Sequence, residues 1–83
     1  MKLKYFAWVR ERIGVEEEER DLPAHVNTAG DLIHWLKGEG ENYAYALEKA
    51  DFIRVAADQK HVRHDASIRE ADVVALFPPM TGG

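Results

Sequence analysis

Eighty-three residues with a formal charge of −4, 46% apolar and 10% aromatic, describe one small globular domain, and such a chain buries only roughly 60–65% of its unfolded surface, too little to enclose a large substrate cavity. The absence of cysteine excludes a disulfide framework, a thiolate zinc site, an iron–sulfur cluster and a cysteine nucleophile. The acidic balance argues against nucleic acid or an anionic membrane as a partner. No apolar run reaches membrane-spanning length, and Met1, Lys2, Leu3 and Lys4 lack a signal-peptide core, so a soluble cytoplasmic protein is the expectation.

Residues 2–9 are rich in aromatic and branched side chains and predict a strand, with Leu3, Tyr5, Ala7 and Val9 on one face and Phe6 and Trp8 on the other. Residues 10–13 suit one helical turn, stopped by Gly14. The four glutamates of residues 16–19 suit neither a core strand nor a helix, and a solvated edge strand ending at Pro23 is expected. A helix begins near Thr28, which can cap it, with Asp31 in the first turn where the helix dipole favours a carboxylate. Leu32, Ile33 and Leu36, with Trp35, make its apolar stripe, and Gly38 or Gly40 ends it. A second short helix is predicted over residues 42–49. Ile53, Val55 and Ala57 then alternate with Arg54 and Ala56, and turn chemistry at Asp58 and Gln59 returns residues 61–64 as the second arm of a hairpin.

Residues 73–77 are apolar without interruption, which predicts a strand covered on both faces. The resulting order is strand, strand, helix, short helix, strand, strand, strand. If the first and last strands pair in parallel at the centre, the chain is an α+β roll with one main helix across one face of a mixed sheet. The domain is expected to span 1–77, followed by a tail at 78–83.

That tail carries the chemistry. Pro78 and Pro79 lack amide donors and stop the central strand, and Gly82 and Gly83 make a slim, flexible end able to enter a channel that a branched residue would block. The distinctive group at its tip is the α-carboxylate of Gly83. A carboxylate is a poor acyl donor until a partner converts it to an acyl-adenylate; a sulfur nucleophile can then displace AMP and leave a thiocarboxylate.

Two stretches make the likeness specific. Phe6, Ala7, Arg10, Glu11 and Gly14 are similar to an F-A-x-x-R-E-x-x-G opening, and Phe77, Pro78, Pro79, Met80, Thr81, Gly82 and Gly83 to an F-P-P-[VM]-[ST]-G-G close. The chain resembles the ubiquitin-like MoaD/ThiS family of sulfur carriers, whose molybdopterin branch supplies the small subunit of molybdopterin synthase. The resemblance covers essentially the whole chain and implies a β-grasp fold.

It further implies adenylation of Gly83 by an ATP-using, ubiquitin-activating-type (MoeB-like) enzyme and conversion to a 1-thioglycine thiocarboxylate. Sulfur is then delivered to the cyclic pyranopterin precursor in the large (MoaE-like) subunit, within a heterotetramer. No bound cofactor is implied, and the catalytic side chains are expected on the large subunit. Gly83 would be the carrier site, Thr81, Gly82 and Gly83 the inserting segment, and Phe6, Phe77, Pro78, Pro79 and Met80 the partner-binding residues. Phe6 and Phe77 are either an exposed apolar patch on the sheet face away from the helix or ordinary core.

Two positions depart from the family pattern. Ala71 replaces a glycine before the last strand, costing about 1 kcal/mol if that position needs φ > 0. His61 stands at a hairpin position expected to be apolar in relatives. Arg10 and Glu11 match the opening without an assigned chemical role, a structural ion pair being an equal reading. The spacing of His61 and His64 does not place them on one face of a strand, so no metal site is expected. Trp8 and Trp35 read as core or partly buried, and His25 and His34 have no recognisable partner. Two other readings remain open: a carrier of the same fold for thiazole formation, tRNA thiolation or cysteine synthesis, and a ubiquitin-like interaction module whose tail is inert or conjugated to lysines.

Overall fold

The computed structural model describes residues 1–79. Its elements, in chain order, are β1 (Lys2–Tyr5), α1 (Ala7–Ile13), β2 (Glu17–Glu19), α2 (Ala29–Lys37), α3 (Glu41–Ala46), a 3₁₀ turn (Ala50–Phe52), β3 (Arg54–Ala57), β4 (Lys60–Val62) and β5 (Val73–Phe77). The strands form one mixed sheet in the order β2, β1, β5, β3, β4. The first and last strands pair in parallel at its centre, with Leu3 opposite Val74 and Tyr5 opposite Leu76. β5 is antiparallel to β3, and β2 and β4 are the two edges. This is the ubiquitin-like β-grasp arrangement.

Alternation along the strands decides which side chains enter the core. Leu3, Tyr5, Val55, Val74 and Leu76 point to one face and are essentially inaccessible. They meet Val9 and Ile13 of α1 and Leu32, Ile33 and Leu36 of α2, with Leu47 just past α3. Each such side chain contributes about 1.5–3 kcal/mol by leaving water. α2 starts as its sequence predicts. The Thr28 hydroxyl accepts the Asp31 amide at 3.1 Å, and the Asp31 carboxylate accepts the Thr28 and Asn27 amides, each at 3.1 Å. The β3–β4 hairpin turns where expected, through Asp58 (φ 47°) and Gln59 (φ 72°), but its second arm is Lys60–Val62 rather than residues 61–64.

The edge strand expected to run to Pro23 ends at Glu19, and further expectations need correction. The first strand ends at Tyr5 rather than at Val9, because the Phe6 carbonyl accepts the amides of Val9 and Arg10 and the chain turns into α1. Ala7 makes that turn at φ 52°, a left-handed conformation costing about 1–2 kcal/mol. Val9 and Ile13, four apart, are both buried by the helix, so the apparent alternation from Leu3 to Val9 joined two different periods. Gly14, at φ 99°, closes α1 as predicted.

Second, the short helix expected over residues 42–49 spans Glu41–Ala46; Leu47, Glu48 and Lys49 form a turn, and a 3₁₀ turn follows at Ala50–Phe52. Third, β5 is buried on one face only. Val74 and Leu76 are inaccessible, whereas Val73, Ala75 and Phe77 are half-buried, because the helices cover a single side of the sheet. At Ala71 the condition for strain is not met: its φ is not positive, and its amide donates to the Ile68 carbonyl at 3.1 Å.

Candidate functional site

The sheet's open face and the root of the tail meet at one end of β5. Phe77 closes that strand opposite Arg54 of β3, and Pro78 and Pro79 follow half-buried and outside regular structure. Their missing amide donors end the ladder, as two prolines must at the centre of a sheet. The Phe6 amide donates to the Leu76 carbonyl at 3.1 Å, which carries the parallel β1–β5 pairing one residue past Tyr5. Phe6 and Phe77 therefore stand at the same end of the sheet. Phe6 is 44% exposed, and Phe77 is half-buried with its ring edge-to-face against His61 at 5.3 Å. Neither joins the buried cluster between sheet and helices, and their patch faces away from it.

A groove of about 350 Å³ runs from this patch along the open face, lined by Lys4, Phe6, Ala56, Asp58, Val73 and Ala75, among others. Small side chains in the middle of the sheet make it shallow: Ala56 and Ala75 pair directly across β3 and β5. The alternation of residues 54–57 and 73–77 carried this information, since one parity of β5 is medium or large (Val73, Phe77) around a single alanine. Apolarity on both parities concealed it.

Of the sequence-derived site residues, Phe6, Phe77, Pro78 and Pro79 fall together here. Met80, Thr81, Gly82 and Gly83 lie outside the described residues. Arg10 and Glu11 are exposed on α1, and among the described residues neither makes an ion pair. His61 lies at the rim of the patch, while His64 turns its Nε2 to the Ile53 carbonyl at 2.7 Å.

The strongest electrostatic perturbation is elsewhere, on the helix side of β1 and β2, and sequence reasoning missed it. Register sets Glu18 opposite Leu3, so it points inward between two outward glutamates. Its Oε2 accepts the Tyr5 hydroxyl at 2.7 Å and the Tyr43 hydroxyl at 2.6 Å, and Arg20 stands beside its other oxygen. Burial disfavours the Glu18 charge, but the hydrogen bonds from Tyr43 and Tyr5 and the positive Arg20 outweigh it and hold the carboxyl below its ordinary range. Burial first, then the Glu18 carboxylate, push the Tyr5 phenol far up and the Tyr43 phenol up.

Arg20 also pairs with Glu39 and lies over the Trp35 ring at 4.8 Å. Such clusters often mark catalytic centres. Here each group satisfies another, no buried polar side-chain atom among the described residues lacks a partner, and the cluster clamps an edge strand to the helices. Among the described residues, the body thus has an exposed, partly apolar sheet face and a central strand that ends beside it.

Comparisons with known proteins place the chain in a family. Residues 3–83 match the ThiS family. The chain is 34% identical over 83 residues to the molybdopterin synthase sulfur carrier subunit of Escherichia coli (strain K12), covering 100% of this chain and 99% of that protein. Among solved structures, a candidate molybdopterin converting factor subunit 1 from Pyrococcus furiosus has a TM-score of 0.72 at 31% identity, with 95% of each chain covered. Small archaeal modifier protein 1 from Haloferax volcanii has a TM-score of 0.71 at 27% identity, covering 96% of this chain and 97% of that one.

Proposed function

This chain belongs to the ThiS family, and from that premise we propose that it is a sulfur carrier for molybdopterin synthesis, loaded at the terminal carboxylate of Gly83. The observation that carries the reading is the delivery of the chain end. The central strand β5, anchored by Val74 and Leu76, terminates at Phe77 beside an open apolar face, and two prolines lead on towards the Gly82, Gly83 end. A body of this kind is a rigid handle behind a reactive terminus.

The chemistry follows from the acid. One carboxylate oxygen of Gly83 attacks the α-phosphorus of ATP in an activating enzyme of the ubiquitin-activating type, and pyrophosphate leaves. A sulfur nucleophile then adds to the acyl carbon of the adenylate. Collapse expels AMP and leaves the thiocarboxylate, so ATP is consumed by the partner and no cofactor resides on this chain. In the large synthase subunit, the thiocarboxylate sulfur forms a bond to a carbon of the cyclic pyranopterin precursor as that carbon's C–O bond breaks and the oxygen leaves with a proton; water then cleaves the acyl C–S bond of the resulting thioester, leaving the sulfur on the pterin and returning the Gly83 carboxylate. A dithiolene holds two sulfurs and each carrier brings one, so successive loaded carriers are required; two carriers on two large subunits make a heterotetramer. Phe6, Phe77, Pro78, Pro79 and Met80 form the docking segment, and Thr81, Gly82 and Gly83 enter the partner.

Intact-protein mass spectrometry after incubation with the activating enzyme, ATP and a sulfur source tests the loading step. The expected product is heavier by the difference between one sulfur and one oxygen atom, and a chain lacking Gly83 is not converted. An unchanged mass, with an enzyme shown to load another carrier in the same mixture, overturns the reading. The likeness to an archaeal modifier protein favours a second reading, conjugation to lysines. That reading predicts an isopeptide-linked Gly–Gly remnant on target lysines.

A further inference from the structure

The open face of the sheet carries a charge pattern that the fold does not require. In a chain of net charge −4, three cations border this face: the exposed Arg54 on β3 and Arg63 just past β4, and the half-buried Lys4 on β1. Arg54 is in register with Phe77. Arg63 follows Val62, whose partner is Val55, so it comes next to Arg54 across the hairpin. Among the described residues, Arg54 and Lys4 make no ion pair, and Arg63 has only Asp65 at 3.6 Å, with side chains 90% and 80% exposed. Such a pair is worth little, and like charges side by side across a hairpin are unfavourable.

The opposite edge behaves differently. Glu17 is paired with Lys2 at 3.1 Å and Glu19 with the terminal ammonium at 2.8 Å, so its charges are answered within the chain. Between the two edges lies the apolar strip of Phe6, Ala56, Val73, Ala75 and Phe77. Its central side chains are small, so apolar burial alone gives a docking protein little grip. An apolar strip bordered by unanswered cations is complementary to an apolar patch bordered by carboxylates. The row that holds Arg54 and Arg63 also holds Phe77, at the root of the tail. A protein that admits the tail must bring the mouth of its channel against that row.

We propose that Arg54, Arg63 and Lys4 form a cationic rim that steers an acidic channel mouth of the large synthase subunit onto the open sheet face. The proposal rests on the sulfur-carrier reading and adds to it the chemistry of the partner's surface. The rim accelerates encounter and fixes orientation, while the apolar strip holds the complex once formed.

The test is the association rate of the full-length chain with the large synthase subunit of the same organism, by stopped flow at a series of ionic strengths. The double variant Arg54→Glu, Arg63→Glu is expected to associate roughly tenfold more slowly or worse at low salt, with a smaller change in dissociation. The difference should vanish near about 1 M salt, where the screening length is about 3 Å. A control of equal net charge, Lys37→Glu with Lys49→Glu on the helix side, should change the rate by less than about twofold. Circular dichroism melting confirms that both variants fold.

Equal slowing in the control, a wild-type rate indifferent to salt, or a defect that persists at high salt overturns the rim. A wild-type complex that forms normally with an unaffected rim variant overturns the rim alone and leaves the carrier reading standing. A wild-type chain that forms no complex with the large subunit overturns the carrier reading, and the rim with it.

Discussion

Replacing Glu18 by alanine removes the acceptor that Tyr5 and Tyr43 share, at 2.7 and 2.6 Å. Tyr43 is half-exposed and can turn to water, so its loss is about 1 kcal/mol. Tyr5 is fully inaccessible, and a buried hydroxyl without a partner costs about 1–3 kcal/mol. Together these predict a loss of about 2–4 kcal/mol, which in a domain of this size lowers Tm by about 10–25 °C. Urea titration followed by circular dichroism should show the midpoint falling with an unchanged slope. Glu17→Ala is the control, since its exposed pairing with Lys2 is worth under about 1 kcal/mol.

In the Glu18→Ala background, Tyr5→Phe should restore part of the stability, because no hydroxyl is then left unpaired. The pH dependence has a definite sign. The folded Glu18 carboxyl sits below its ordinary value of 4.5, so its contribution is complete above that value and is lost as pH falls through the lower folded one. Glu18→Gln should flatten that acid limb. A Glu18→Ala variant within about 0.5 kcal/mol of wild type, or simple additivity with Tyr5→Phe, would refute the clamp.

Thr28→Ala should cost about 1 kcal/mol in the same titration, because it strips the Asp31 amide of its acceptor at the start of α2. The Asp31 carboxyl is held low chiefly by the Asn27 and Thr28 amides, so its part of the cap weakens on acidification, visible as a steeper acid limb than that of Asp31→Asn. Asp58→Ala should loosen the β3–β4 hairpin: its Oδ1 accepts the Asp72 and Val73 amides, both at 3.0 Å, and amide exchange at those two positions should rise without loss of the core. Deleting Gly83 should abolish sulfur loading with little change in Tm, since the buried hydrophobic residues of the described chain all lie between Leu3 and Leu76. A drop of many degrees would show that the terminus contributes to the fold.

What could be read without coordinates was local chemistry. Thr28 and Asp31 announce a capped helix, Asp58 and Gln59 a tight hairpin, and Gly14 a helix stop, because each signal lies within a few residues of the feature it sets. The order of elements allowed a parallel pairing of the first and last strands, and the structure has it. Apolar alternation misled where two periods overlap. Leu3, Tyr5 and Val9 are all buried, yet the last of them lies on a helix. The glutamate run misled for a related reason, since three of its members are exposed and one is not.

The sequence by itself therefore determined most of the elements and their order, carried by residue type and short spacing. Tertiary structure decided which glutamate turns inward, which face of β5 stays open, and that Arg54, Arg63 and Lys4 border the same apolar strip as Phe6 and Phe77. Those outcomes depend on register and on which side of the sheet the helices cover. Both are relations between segments distant in the chain, and a one-residue change in pairing would reverse every facing without altering a single local signal.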